Sequence, residues 1–203
     1  YNINVSKRPA LGYYKNNCVS AFIPGAFTAL VILDRDAFQF SGSDLYEGYS
    51  ILQDLFSNEF FYDKEKEPAY FVHKNLKAFI DDAILMPHPT MPDTYNLTSA
   101  GFRKLKLFAR FLSPYLESYW ICLNFFMRYP RNFIQSKDRI KKIQSMGNRM
   151  YKMKEIEKTE ALSRINYKNA VEFFISKGVK GSEDEEKIEE YKIIIKRFLE
   201  RLQ

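Results

Sequence analysis

The stretch from Thr98 to Met127 constrains this chain most, because it is aromatic or aliphatic along nearly its whole length and has to be buried. Leu105, Phe108, Leu112, Tyr115, Tyr119, Leu123 and Phe126 recur three or four residues apart, which places them along one side of an α-helix. Leu107, Phe111, Leu116, Trp120 and Met127 cover much of the remaining circumference. Pro114 lacks a backbone donor, so the helix is expected to kink there or, the favoured outcome, to split, with Ser113 capping the second half and Pro114 at its first position. Glu117 is the one acid between Lys104 and Arg128. A carboxylate set among aromatics survives only when paired, so a backbone or tyrosine donor is expected beside it.

A chain of 203 residues with 46% hydrophobic and 16% aromatic content is long and apolar enough for one or two domains with a real core. The reading is one helical region over 1–203, with a subdivision at 1–130 and 131–203 as the alternative. Its longest apolar run, Ala21 to Leu33, is broken by Pro24 and Gly25 and falls short of the roughly 20 residues a membrane span needs. No signal peptide is expected, and Tyr1 in place of an initiator methionine points to sequence upstream. Cys18 and Cys122 stand far apart, and His73 and His88 are the only histidines, which excludes a zinc finger and a disulfide framework.

Along the chain, Leu11 to Leu33 reads as two linked helices, the second capped at Asn16 or Asn17 and bent at Pro24. Asp34 to Asp44 reads as a loop, with Ser43-Asp44 capping a helix that carries Leu45, Tyr49, Leu52, Leu55, Phe56 and Phe60. Helical spacing returns over Ala69 to Asp82, and Ala83 to Met86 and Thr94 to Leu97 suit the two strands of a hairpin. After Tyr129-Pro130 comes a basic helix with Phe133, Ile134, Ile140, Ile143, Met146 and Met150 on one side. Another helix starts near Ser163 or Asn166 and ends at Gly178, and a last one, preceded by Ser182 and acids, runs to about Leu202. The fold class is mainly α: a multi-helix bundle around a long central helix, with a small winged-helix-like β-hairpin.

Chemistry is sparse. His88-Pro-Thr-Met-Pro-Asp93 fits H-x-x-x-x-D, the spacing at which an aspartate orients a histidine base, but two prolines interrupt it and no Glu-Gly-Ser/Thr-type segment follows. His88 and Asp93 are read as coincidence, and no catalytic residue and no metal site is assigned. His73, inside an amphipathic helix, is read as structural. The net charge of +6 is uneven: Lys137 to Lys154 holds seven Lys or Arg against the single acid Asp138. Such a run solvates a helix face or meets phosphates, anionic lipid or an acidic protein. A winged-helix nucleic-acid-binding protein is one alternative. Against it, the helix before the hairpin carries only Lys74 and Lys77 and ends in two acids. A helical protein-interaction domain is the other.

Four segments in order carry a resemblance: Leu11-Gly-Tyr-Tyr-Lys-Asn-Asn17, Leu97-Thr-Ser-Ala-Gly101, Leu112-Ser-Pro-Tyr-Leu-Glu-Ser-Tyr-Trp120 and Glu160-Ala-Leu-Ser-Arg-Ile-Asn-Tyr-Lys-Asn-Ala170. Together they resemble the C-terminal region of the membrane-bound glycerol-3-phosphate acyltransferases and their dihydroxyacetone-phosphate acyltransferase relatives. The resemblance implies a parent enzyme that moves an acyl group from a coenzyme A or acyl-carrier-protein thioester to the first hydroxyl of glycerol 3-phosphate. That family's catalytic blocks lie upstream of the first segment, so no catalytic residue carries over and no cofactor is expected on this region. The implied partners are the upstream catalytic domain, a membrane surface and an acyl-carrier protein, with no nucleic acid. The implied location is peripheral, at the cytoplasmic face. Within this reading Arg139, Lys141, Lys142, Arg149 and Lys152 are expected to bind anionic headgroups or the carrier protein.

Overall fold

The computed structural model describes the backbone of residues 8–60, 66–131 and 136–203, and the side chains of 21–60, 66–131 and 138–203. Phe133 and Ile134 lie outside the described residues, as do the side chains of the Leu11–Asn17 segment. The first helix, α1 (Arg8–Asp34), runs unbroken through Asn16 and Pro24, where two linked helices were expected. Ala26, Phe27, Ala29, Leu30, Val31, Ile32 and Leu33 are all buried, and this packing just past Pro24 holds the helix in place despite the donor that Pro24 lacks. Thr28 donates its hydroxyl to the Pro24 carbonyl at 2.8 Å.

The segment expected as a loop after Asp34 contains a strand, β1 (Gln39–Ser41). Its single buried side chain, Phe40, anchors it, and three residues are too short for an alternating pattern to show. A 3-10 turn (Ser43–Leu45) follows, and then α2 (Tyr46–Leu55). Asp44 does not cap α2: its carboxylate reaches back to accept the Ser41 N–H at 2.9 Å. Next come α3 (Pro68–Asp81), with proline in its first turn and Val72, Leu76 and Phe79 buried, and the hairpin β2 (Leu85–Pro87) and β3 (Thr94–Leu97). The antiparallel sheet has the order β1-β3-β2, with Phe40 opposite Tyr95 and Leu85 opposite Leu97. Helix, strand, two helices and a hairpin joined in that strand order make a winged-helix arrangement.

The central stretch splits as expected, although not by a sharp break. It forms α4 (Ser99–Ala109), a 3-10 turn (Arg110–Leu112) and α5 (Ser113–Arg128). The chain thus stays helical through Pro114, so Ser113 is the first residue of α5 and not its cap, and the cap position falls on Leu112. The 3-10 turn lies where proline removes a donor. The remaining helices are α6 (Ser136–Lys152), α7 (Arg164–Ser176) and α8 (Glu185–Leu202). Ser163 caps α7 by accepting the Asn166 N–H, and Gly178, at φ 87°, lies just past its end.

One continuous core extends from Ile23 on α1 to Leu202 on α8. Aromatic contacts tie its helices together: Phe27 stacks on Phe56 at 5.9 Å, and edge contacts join Phe56 to Tyr119 at 5.2 Å, Tyr119 to Phe174 at 5.6 Å and Phe174 to Tyr191 at 5.5 Å between ring centroids. No helix among the described residues is long and apolar enough to cross a membrane.

Candidate functional site

The hairpin places His88 and Asp93 at opposite ends of its turn, and their side chains serve different partners. His88 Nδ1 accepts the N–H of Met91 at 3.1 Å and of Thr90 at 3.3 Å, which makes Nδ1 an acceptor that closes the turn. Asp93 sits at φ 51° and its carbonyl accepts the Gly42 N–H at 2.9 Å. A side chain on Gly42 would push the Asp93 carboxylate aside. Asp93 Oδ1 accepts the Tyr95 hydroxyl at 3.1 Å and lies 3.8 Å from His73 Nδ1. His73 Nε2 in turn is 2.6 Å from the Tyr46 hydroxyl.

The fold therefore assembles a carboxylate–imidazole–phenol row from β3's turn, α3 and α2, with His73 where the H-x-x-x-x-D pattern would have used His88. Burial first, and then the Asp93 charge, raise the Tyr46 pKa. Tyr95 is raised by burial and by its hydrogen bond to Asp93. The row has the ingredients of proton transfer, but the His73 and Asp93 side chains are 48% and 39% exposed and open to water. Sequence spacing could not reveal it, because His73 and Asp93 belong to different elements.

The basic residues share α6. Ile143 and Met150 are buried beneath it, and Gly147 packs so closely on the Tyr167 hydroxyl that a Cβ would clash. At 100° per residue, Lys141, Lys142, Arg149 and Lys152 fall within about 100° of arc, and Arg139 lies about 60° beyond it. The first four are exposed and Arg139 is half-buried, so burial of the opposite side presents one cationic face to solvent.

The segments resembling the acyltransferase family do framework work. In Leu97–Gly101, Thr98 caps α4 by accepting the Gly101 N–H at 2.8 Å and donates its hydroxyl toward the Ala83 and Ile84 carbonyls. A Cβ on Gly101 would run into the Ile84 carbonyl. Leu112–Trp120 and Glu160–Ala170 lock onto each other. The Ser118 hydroxyl lies 2.8 Å from the Ala161 carbonyl and accepts the Asn166 amide at 3.3 Å. Glu117 accepts the Glu157 N–H at 3.0 Å and the Lys158 N–H at 2.8 Å, the backbone pairing expected of a buried carboxylate. Burial raises the Glu117 pKa even so, with the two backbone bonds opposing it. Asn169 reaches the turn after α2, donating to Glu59 Oε2 at 2.9 Å.

Among the described residues no three His, Cys, Asp or Glu side chains are placed to hold a metal ion. No curated protein matches the chain. The family model of the glycerol-3-phosphate acyltransferase C-terminal region matches residues 1–183. With the greater part of its length matched, and with three of the resembling segments seated in its framework, the chain belongs to the glycerol-3-phosphate acyltransferase C-terminal region family.

Proposed function

We propose that this chain is the helical, non-catalytic portion of a glycerol-3-phosphate 1-O-acyltransferase acting in phospholipid synthesis. The family match over residues 1–183 carries the reading. The bonding of Glu117, Ser118 and Gly101 supports it, because these resembling residues hold elements together. The working groups then lie in a catalytic domain upstream, which uses an acyl-coenzyme A or acyl-carrier-protein thioester as donor. This region packs on that domain at the cytoplasmic face of a membrane. The α6 cationic face attracts what is anionic nearby, either lipid headgroups or an acidic carrier protein. The winged-helix arrangement invites a nucleic-acid reading, but α3 offers Lys74 and Lys77 against Asp81 and Asp82, a poor electrostatic match to a phosphate backbone.

The test compares acylation of glycerol 3-phosphate by residues 1–203 alone and by the natural full-length protein. Transfer by the full-length protein only is expected. Transfer by the isolated region, or by neither, overturns the reading.

A further inference from the structure

The side of the molecule formed by α1 and α4 exposes large apolar side chains. Leu107 is 72% exposed and Phe22 is 57% exposed. Scattered apolar residues on a surface are ordinary, but these two line the same groove. Phe22, Ala26, Leu107, Phe108 and Phe111 enclose 330 Å³ there, and the stem of Lys104 completes the wall. Toward the other end of α4, Phe102 joins Phe38, itself 68% exposed, in a second, smaller depression. The register of α4 explains the strip: Leu105 and Ala109 are buried, so Leu107 between them is forced outward.

The charge that α4 itself brings beside the groove of Phe22 and Leu107 has one sign, while Asp36 lines the second depression. Phe102 to Leu107 reads Phe-Arg-Lys-Leu-Lys-Leu, and no acid occurs between Asp93 and Glu117. On the α1 side, Ala21 to Leu33 carries no charge of either sign. Lys104 donates to the Asp82 backbone oxygen at 2.9 Å and Lys106 to the Gln203 backbone oxygen at 3.2 Å. Apolar side chains flanked by cations with long apolar stems match the boundary between acyl chains and anionic headgroups.

We propose that the α1–α4 face seats in the interface of an anionic lipid bilayer, with Phe22 and Leu107 entering the acyl region and Arg103, Lys104 and Lys106 meeting headgroup phosphates. This rests on the membrane location in the functional reading above and names the surface that provides it. The basic face of α6 is a separate surface and is not required for insertion.

The test uses the natural full-length protein and its flotation with vesicles of phosphatidylcholine alone and of phosphatidylcholine mixed with phosphatidylglycerol. One variant combines Phe22→Ser with Leu107→Glu; a second combines Arg103→Glu, Lys104→Glu and Lys106→Glu. Both are checked for an unchanged unfolding midpoint and for acyl transfer in detergent micelles. The apolar variant is expected to lose about tenfold or more in vesicle partition, since it removes inserted apolar area, and the charge variant to lose the preference for phosphatidylglycerol. Transfer in micelles is expected to stay at the parent level for both. Flotation of the apolar variant equal to the parent's overturns the proposal. So does a parallel loss of transfer in micelles, which would place this face against the catalytic domain. A parent that floats and whose variants do not, yet shows no transfer in any medium, upholds the face and removes the enzymatic reading alone.

Discussion

Glu117 holds Lys158 by its backbone: Oε2 on α5 accepts the Lys158 N–H at 2.8 Å, while Oε1 takes the neighbouring Glu157 N–H at 3.0 Å. One buried carboxylate thus closes the connection between α6 and α7, two elements that pack on α5. Removing it strands two amide donors.

Replacing Glu117 with Ala is therefore expected to lower stability by about 2–4 kcal/mol, as hydrogen bonds to a charged acceptor are lost together with packing. Glu117→Gln keeps one acceptor and should lose less than half of that. Urea unfolding of both variants checks the order; equal midpoints for Glu117→Ala and the parent would refute the clamp.

Gly101 sits where α4 begins under the Ile84 carbonyl, and an added Cβ would meet backbone, which cannot swing aside. Gly101→Ala, normally favourable within a helix, is expected here to destabilise by about 2 kcal/mol or more. The thermal midpoint decides it: a rise would show that the close approach is not required.

Glu59, in the turn after α2, gives a pH signature. Burial pushes its pKa up to about 7, with hydrogen bonds from Asn169 and Tyr119 opposing the shift. The groups packed around it are Tyr115 and Tyr119 and the buried Cys122 thiol of α5; Tyr115 and Cys122 are themselves raised by burial and by the Glu59 charge. Because the folded pKa lies above the unfolded one, the neutral form favours folding. Its contribution is complete below about pH 4.5, declines as pH rises and is gone above about pH 7, on the order of 2–3 kcal/mol in all. Asp34 and Glu117 are also raised by burial and slope the same way, so the informative quantity is the difference between the parent and Glu59→Gln. That difference should grow across this window, with the variant the more stable at pH 8; a pH-independent difference would contradict it.

How far the sequence announced these features follows from how local their causes are. Pro68 with the spacing of Val72, Leu76 and Phe79 specifies α3 within its own residues, and the turn residues from Pro87 to Asp93 specify the hairpin. The role of Glu117 was legible because few solutions exist for a carboxylate among aromatics. Strand β1 was not, since only Phe40 marks it and its pairing partner Tyr95 lies far along the chain. The unbroken course of α1 depends on the burial of Ala26 to Leu33 just past Pro24, and tertiary packing overrides a local breaker there. The meeting of His73 with Asp93 depends on how α3 sits against the hairpin, which no spacing rule contains. The charge of α6 was readable; the direction in which it faces required knowing that Ile143, Gly147 and Met150 point inward.

For α6, joint reversal of Lys141, Lys142, Arg149 and Lys152 to Glu should weaken binding to anionic vesicles or to an acidic acyl-carrier protein by about tenfold or more at low salt, with the difference shrinking as salt rises. Cosedimentation and carrier-protein titration separate the two anions. Binding of both at the parent's level would exclude this face as a docking surface.

The central claim is that no side chain of this region performs the chemistry, and the three residues that most resemble catalysts test it most directly. In the natural full-length protein, His73→Ala, His88→Ala and Asp93→Asn are each expected to leave kcat for glycerol 3-phosphate acylation within about twofold of the parent, where loss of a general base costs roughly 100-fold or more. A 100-fold fall in kcat for any one of them, with the unfolding midpoint unchanged, would contradict the account.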